Sequence, residues 1–295
     1  MITNKYYKLI RVSYADEGYF CLTNVGNGVG TVSIGTAGSI NYEYSTDGVT
    51  WTSYTGGTEI NVDPKSNIYW RYAGSGNNIS GKTFNLGFDC YASGNLMSLY
   101  SKDNFNAYTG DWGAKQLFYN QTHLLRANFS LGAATTIGAE DMHRAFYGCQ
   151  NLTEGPDFSH ITTIETGQTP PYYGGLQEAF YDCRALCVTP DFSSLTSVGR
   201  NAFNNAFYQC FGLTSTPNFT NVTSVSATGF LDAFFYCRNL TTAYAPTITW
   251  DTGKMAGWLN YVLASGTLYA DSSIASTIPT SNPSGCPSGW TVATL

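Results

Sequence analysis

Cysteine is the residue type whose placement most invites chemistry. Eight are present, and four of them, Cys149, Cys183, Cys210 and Cys237, stand at one position of a repeated segment. Thiols spaced in this way offer three outcomes: a metal site, disulfides between repeats, or small buried hydrophobes. A metal site needs paired ligands such as Cys-x-x-Cys with histidine close by. The nearest pair, Cys183 and Cys187, has no histidine beside it. The expectation is a structural column of buried thiols, one per repeat, with disulfides as the alternative. No metal or cofactor is expected.

The other reactive side chains are no better organised. His123, His143 and His160 show no His-Glu-x-x-His spacing. No Gly-x-Ser-x-Gly elbow holds a nucleophile. His123 falls inside a repeat segment and is expected in its core. Carboxylates are scattered (Glu140, Asp141, Glu154, Asp157, Glu165, Asp182, Asp191). Asp157 and Asp191 occupy equivalent repeat positions, so they mark the repeat and not the paired acids of a glycosidase. Gly26-x-Gly28-x-Gly30 is followed by the strand-like Thr31-Val32-Ser33-Ile34. A phosphate loop would need a helix there, so a turn is expected. The chain is read as a non-enzyme, and a carbohydrate-active enzyme is the least favoured alternative.

What must position these residues is a repeat. Phe146-Tyr147-Gly148-Cys149-Gln150-Asn151-Leu152 returns at Phe180–Leu186, Phe207–Leu213 and Phe234–Leu240, with a degenerate first copy at Phe118–Leu124. The steps between the leading phenylalanines are 28, 34, 27 and 27 residues. A period of this size marks a solenoid, in which each unit buries its apolar face only against its neighbours. Each unit opens on an Ala-Phe-Tyr-x-Cys segment that reads as one or two helical turns. A proline follows (Pro156, Pro190, Pro217), then a phenylalanine (Phe158, Phe192, Phe219) and a short strand: Thr163-Ile164, Ser197-Val198 or Ser224-Val225. Equivalent cysteines would then sit roughly 4.8 Å apart, the spacing of neighbouring strands. One coil carries seven extra residues, Thr169-Pro170-Pro171-Tyr172-Tyr173-Gly174-Gly175. They must leave the stack as a surface loop, and Pro170, Pro171, Tyr172 and Tyr173 form its candidate binding surface.

This pattern resembles the BspA-like leucine-rich repeats, whose units read roughly "AF-x-x-C-x-x-L" followed by a "T-S-I" strand. The likeness covers about 130 residues. Phe and Tyr often replace the usual Leu and Ile, as in a divergent branch. Three other stretches are similar to segments that accompany such repeats. They are Glu43–Trp51 with Ile68-Tyr69-Trp70-Arg71, Gly94–Tyr100 with Asp103-Asn104-Phe105, and the tail Gly285-Cys286-Pro287-Ser288-Gly289-Trp290-Thr291-Val292. The resemblance implies a non-catalytic surface or adhesion protein of gut Bacteroidetes or of their tailed, crAss-like phages, with no named ligand.

Composition fits a polar, weakly charged exterior: charged residues make up 12% of the 295. A net charge of −6 argues against binding nucleic-acid phosphates. No run of about eighteen apolar residues is present to span a membrane. The opening Met1–Lys8 holds no apolar segment of a secretory signal. An outward-facing composition without such a signal favours a virion component assembled in the host cytoplasm: a head fibre, decoration or tail-associated protein. A bacterial cell-surface or extracellular adhesin is the alternative. Expected partners are other virion proteins or further copies of the chain, with a trimer as the form fibres commonly take, and a host glycan or protein.

The fold expected is mainly β with short helices: a small antiparallel β-sandwich followed by a BspA-like leucine-rich-repeat solenoid. Residues 1–17 read as an arm or first strand, with Tyr6, Tyr7 and Leu9 as candidate assembly contacts. The sandwich spans 18–90, with a hairpin at Asp47-Gly48 between Asn41–Ser45 and Thr50–Thr52. Residues 91–117 form a junction and cap, 118–250 about five coils, and 251–295 a second cap with a short helix at Met255–Leu263. Seven Asn-x-Ser/Thr sequons (Asn78, Asn120, Asn128, Asn151, Asn218, Asn221, Asn239) mostly recur at repeat positions and are read as turn and ladder chemistry.

Overall fold

The structure, a computed structural model, describes residues 18–35, 41–74, 79, 81–103, 105–108, 112–167 and 169–295. The arm of residues 1–17, with Tyr6, Tyr7 and Leu9, lies outside the described residues, as does Asn78.

The N-terminal part builds two sheets. One has the order β4-β3-β6-β1-β8, from Thr52–Tyr54, Tyr42–Ser45, Asn67–Tyr72, Phe20–Asn24 and Cys90–Ser93, all antiparallel. The other has the order β5-β2-β7, from Ile60–Val62, Gly30–Ile34 and Phe84–Leu86. In β6 the buried Ile68 and Trp70 alternate with partly exposed Tyr69 and Arg71, the period-2 pattern of a strand with one face inward. The sheets meet where Phe84 packs on Phe20 (5.6 Å between centroids) and on Trp70 (5.4 Å). The β3–β4 hairpin turns where the sequence places it. Asp47 Oδ1 accepts from the backbone N–H of Val49 and Thr50, and Gly48 supplies the positive φ. The Gly26–Gly30 stretch is a loop pinned by Asn24, whose side chain accepts from Gly26 N–H and donates to Gly28 O.

The C-terminal part is a β-solenoid of about six turns. Its two-residue strands β10 to β13 (Thr136–Ile137, Thr163–Ile164, Ser197–Val198, Ser224–Val225) pair in parallel, like residue against like. The first sheet runs into the stack. β8 pairs in parallel with β9 (Leu124–Ala127), and bridges at Arg126–Glu154 and Ser215–Thr242 continue the line. It ends in β14-β15-β16 (Thr242–Tyr244, Gly266–Ala270, Trp290–Thr294).

The short helices are absent. Among the described residues there is no α-helix, only 3₁₀ turns at Leu96–Leu99, Phe105–Ala107 and Ala275–Thr277. The Ala-Phe-Tyr-x-Cys segments are ribbons of overlapping β-turns. In the second coil the N–H groups of His143, Ala145, Tyr147 and Cys149 each bond three residues back. Those of Met142, Arg144, Phe146 and Gly148 instead reach the next coil, to the carbonyls of Gly175, Gln177, Ala179 and Tyr181. Every fourth residue is left-handed: Glu140, Arg144 and Gly148 here, Asn201, Asn205 and Gln209 two coils on. Alternate turns thus carry φ > 0 at their third residue, as a type II turn requires, and an α-helix cannot form.

The same ribbon corrects the Met255–Leu263 helix. Residues 251–263 form a further coil, whose Leu259 takes the phenylalanine position and whose Trp258 lies against Phe230 and Phe234. The two ends are closed differently. Coil-one carbonyls of Lys115 and Leu117 accept from Gly81 and Phe84 N–H. At the far end Leu259 N–H donates to Pro283 O, Gly257 N–H to Ser284 Oγ, and the indoles of Trp250 and Trp258 to Ser284 O and Gly285 O.

Candidate functional site

Inside the stack, translation from coil to coil sets identical side chains against one another. Phe118, Phe146, Phe180, Phe207 and Phe234 form one column, with centroids 5.0–6.0 Å apart and ring planes within 20°. Cys149, Cys183, Cys210 and Cys237 line the same interior, fully buried and unbridged. Each thiol lies within hydrogen-bond distance of the phenylalanine carbonyl one coil back, at 2.9, 3.1, 3.1 and 3.0 Å to Phe118, Phe146, Phe180 and Phe207. That carbonyl already accepts one backbone N–H, so the S–H uses its second lone pair. Burial pushes the Cys237 thiol up to about 12 and raises the other three as well. These sulfurs stay protonated and act as weak donors, not as nucleophiles. Cys187 is the exposed one.

The seven-residue insertion turns back on the stack. An antiparallel bridge between Thr166 and Gly174 closes its base, where a Cβ on Gly174 would lie 2.1 Å from the Asn201 carbonyl oxygen. Only glycine lets the backbone approach that closely. Pro170 and Pro171 are exposed at the tip. The two tyrosines are only partly exposed and lie in opposite directions. Tyr173 stacks on His143, with centroids 4.6 Å apart and 23° between planes, and Lys115 Nζ is 5.6 Å from its centre. Tyr172 lies beneath Arg200 at 4.5 Å, and its carbonyl accepts from Asn201 Nδ2.

The turn ribbon also builds a surface that the repeat reading passed over. The ribbon turns two adjacent residues inward, such as Ala145 and Phe146, and the residue after each core phenylalanine points out. Tyr119, Tyr147, Tyr181, Tyr208 and Phe235 stack in an outer column, with centroids 4.5–5.1 Å apart and planes within 15°. Each is partly exposed. Beside them, charges are paired off: Arg144 with Glu178 at 2.8 Å, Asp182 with Gln150 at 2.8 Å and with Arg184 at 2.7 Å. Arg144 also lies over Tyr147 at 5.7 Å. At the far end Tyr236 stacks on Tyr261, which is 58% exposed beside the exposed Leu263. The signal was present in the sequence: an aromatic follows the leading phenylalanine in all five copies.

The remaining candidates serve structure. His123 is exposed, not in the core, and its Nδ1 lies 3.0 Å from Asp89 across the junction with the N-terminal sheets. Its repeat equivalents, Asn151, Ala185, Gly212 and Asn239, are corner residues. Asp157, Asp191 and Asn218 make one and the same Asx turn, each accepting the N–H two residues on. Among the sequons, Asn151, Asn221 and Asn239 donate through Nδ2 to a carbonyl of the preceding coil. No group of three or more His, Cys, Asp or Glu is placed to hold a metal among the described residues.

No family model, no curated protein and no solved structure matches this chain.

Proposed function

We propose that this is a non-catalytic structural protein whose solenoid displays the outer aromatic column as a rigid binding surface for a neutral glycan. The observation that carries the reading is the stack of Tyr119, Tyr147, Tyr181, Tyr208 and Phe235, held partly exposed by the coil repeat. Stacked rings are already ordered, so little side-chain entropy is lost on binding. They offer apolar edges together with a row of phenol hydroxyls, which suits a ligand made of C–H faces and hydroxyls. The neighbouring charges neutralise one another, which favours an uncharged partner over a polyanion.

Resting on the BspA-like resemblance of the repeat, we infer that such a surface belongs to a tailed-phage virion or, alternatively, to a bacterial cell. Antibody labelling of virions and of intact cells separates the two. The binding reading is tested on an array of extended neutral glycans with the wild type and with Tyr147→Ala/Tyr181→Ala. Retention by the wild type and at least tenfold weaker retention by the double variant is the expected result. Binding that survives both substitutions moves the contact elsewhere, and an array with no binder points to a protein partner.

A further inference from the structure

We propose that the tip of the insertion, residues 169–173, is a strap docked on neutral His143 and released when that imidazole takes up a proton. This stands apart from the aromatic column. His143 is 3% exposed, and neither ring nitrogen has a hydrogen-bond partner among the described residues. Its face is covered by Tyr173, so the strap itself is what keeps the ring from water. The strap is anchored at Gly174 and Gly175, which belong to the ribbon, while residues 172 and 173 are tied by the ring contacts of both tyrosines and by their carbonyls, which accept from Asn201 Nδ2, Thr166 Oγ1 and Gly167 N–H. It occurs in one coil of the repeat, so the stack does not need it.

Among the described residues, the carboxylates around His143 are already engaged elsewhere. On its own coil stand Glu140, Asp141 and Arg144; the preceding coil supplies Lys115, the following coil Glu178, and the strap Tyr173. Lys115 pairs with Glu140 at 2.5 Å and Arg144 with Glu178 at 2.8 Å, so both glutamates are committed. Asp141 Oδ2 is held by Gly138 N–H at 2.5 Å. Burial first, and then Arg144, push His143 down to about 4. The docked strap therefore favours the neutral ring. It is fully stable above the ordinary imidazole value near 6.5, loses stability as pH falls below that, and has lost all of this contribution once pH passes about 4. The gap corresponds to a shift of roughly 300-fold in the docked-to-open ratio.

Hydrogen exchange from pH 7 to pH 4, corrected for the intrinsic rate of free peptide, reads the strap directly, with amides of residues 203–210 as an internal control. The wild type should lose protection at Gly167 and Tyr172 by up to roughly 100-fold over this range while the control holds. His143→Gln should remove the pH dependence. A wild-type strap protected equally at both pH values overturns the proposal. So does an unchanged loss in His143→Gln, which would assign release to the Lys115–Glu140 and Arg144–Glu178 pairs. Should His143→Gln lose the control protection too, NMR titration of His143 in the wild type decides. A midpoint well below 6.5 that Tyr173→Ala returns toward 6.5 supports docking, and a normal midpoint in the wild type overturns it.

Discussion

The two halves of the molecule handle aromatic rings in opposite ways. In the N-terminal sheets each ring has its own surroundings, and the angles between neighbours vary from 35° for Phe20 and Phe84 to near edge-to-face. Tyr54 meets Trp70 at 83° and Trp70 meets Phe84 at 74°. In the solenoid, equivalent rings of successive coils lie parallel: Phe180 and Phe207 differ by 3°, Phe207 and Phe234 by 1°, Tyr181 and Tyr208 by 2°. The cause is symmetry. Moving one coil onto the next carries each ring to its equivalent without rotation, and the coil spacing leaves only stacking. A unique core chooses the geometry of each pair, whereas a repeated core inherits one geometry for the whole column.

The sharpest way to break this comparison is to remove one ring from each half. Phe180→Ala empties the middle of the inner column and should cost about 3–5 kcal/mol in a urea melt, as should Trp70→Ala in the sheets. The sheet that runs from β4 through β9 into the coils joins the halves. Both variants should therefore shift one shared transition; two separated transitions would show that the halves unfold independently. Cys183→Ala should cost less, about 1–3 kcal/mol for the small cavity and the lost S–H donor. Cys183→Ser, which keeps a donor, should cost less still. In the native protein an alkylating reagent at pH 8 should label Cys187 alone, and after unfolding all eight cysteines. Tyr181→Ala, on the partly exposed outer column, should cost about 1 kcal/mol. The smallest effect is expected at the exposed β3–β4 turn. Hydrogen bonds from the N–H groups of Thr50 and Val49 lower the Asp47 pKa. The turn's added stability is therefore present above the free carboxylate value and is lost as pH falls below it. Asp47→Asn should flatten that acid limb slightly.

Much of the architecture was legible because repeat and turn chemistry are local. The two-residue strands appear where Thr-Ile and Ser-Val recur, and the Asp47-Gly48 hairpin forms at its sequence signal. The helix expectation failed for a definable reason. In the ribbon the inward residues are Met142, Ala145, Phe146 and Cys149, a spacing of i, i+3, i+4, i+7. An amphipathic helix buries the same positions. Over two turns a four-residue ribbon and a 3.6-residue helix cannot be told apart by apolar spacing. The left-handed positions would have separated them, yet Asn120, Gly148 and Asn205 alternate there with Arg144, Glu178 and Tyr236, which blurs the signal. The outer column was hidden because each tyrosine adjoins a core phenylalanine and reads as part of the same apolar segment. His143 could not be singled out at all, since its burial comes from a strap that begins 26 residues later.

The hydrogen bonds between ribbons all run one way, from N–H on one coil to C=O on the next. Aligned peptide groups add their dipoles, as they do along a helix axis. Here the axis is that of the stack and not of the chain, with the positive pole toward the C-terminal coil. That polarity belongs to the ribbon face alone, since strand and corner bonds such as Glu165 N–H to Ile137 O and Gly199 N–H to Ile164 O run the other way, but on this face the two ends are chemically opposite. The first coil needs donors, met by Gly81 and Phe84, and the last needs acceptors, met by Pro283 and Ser284. A coil added by design can be inserted anywhere between them, but exchanging the end pieces would set donor against donor and acceptor against acceptor.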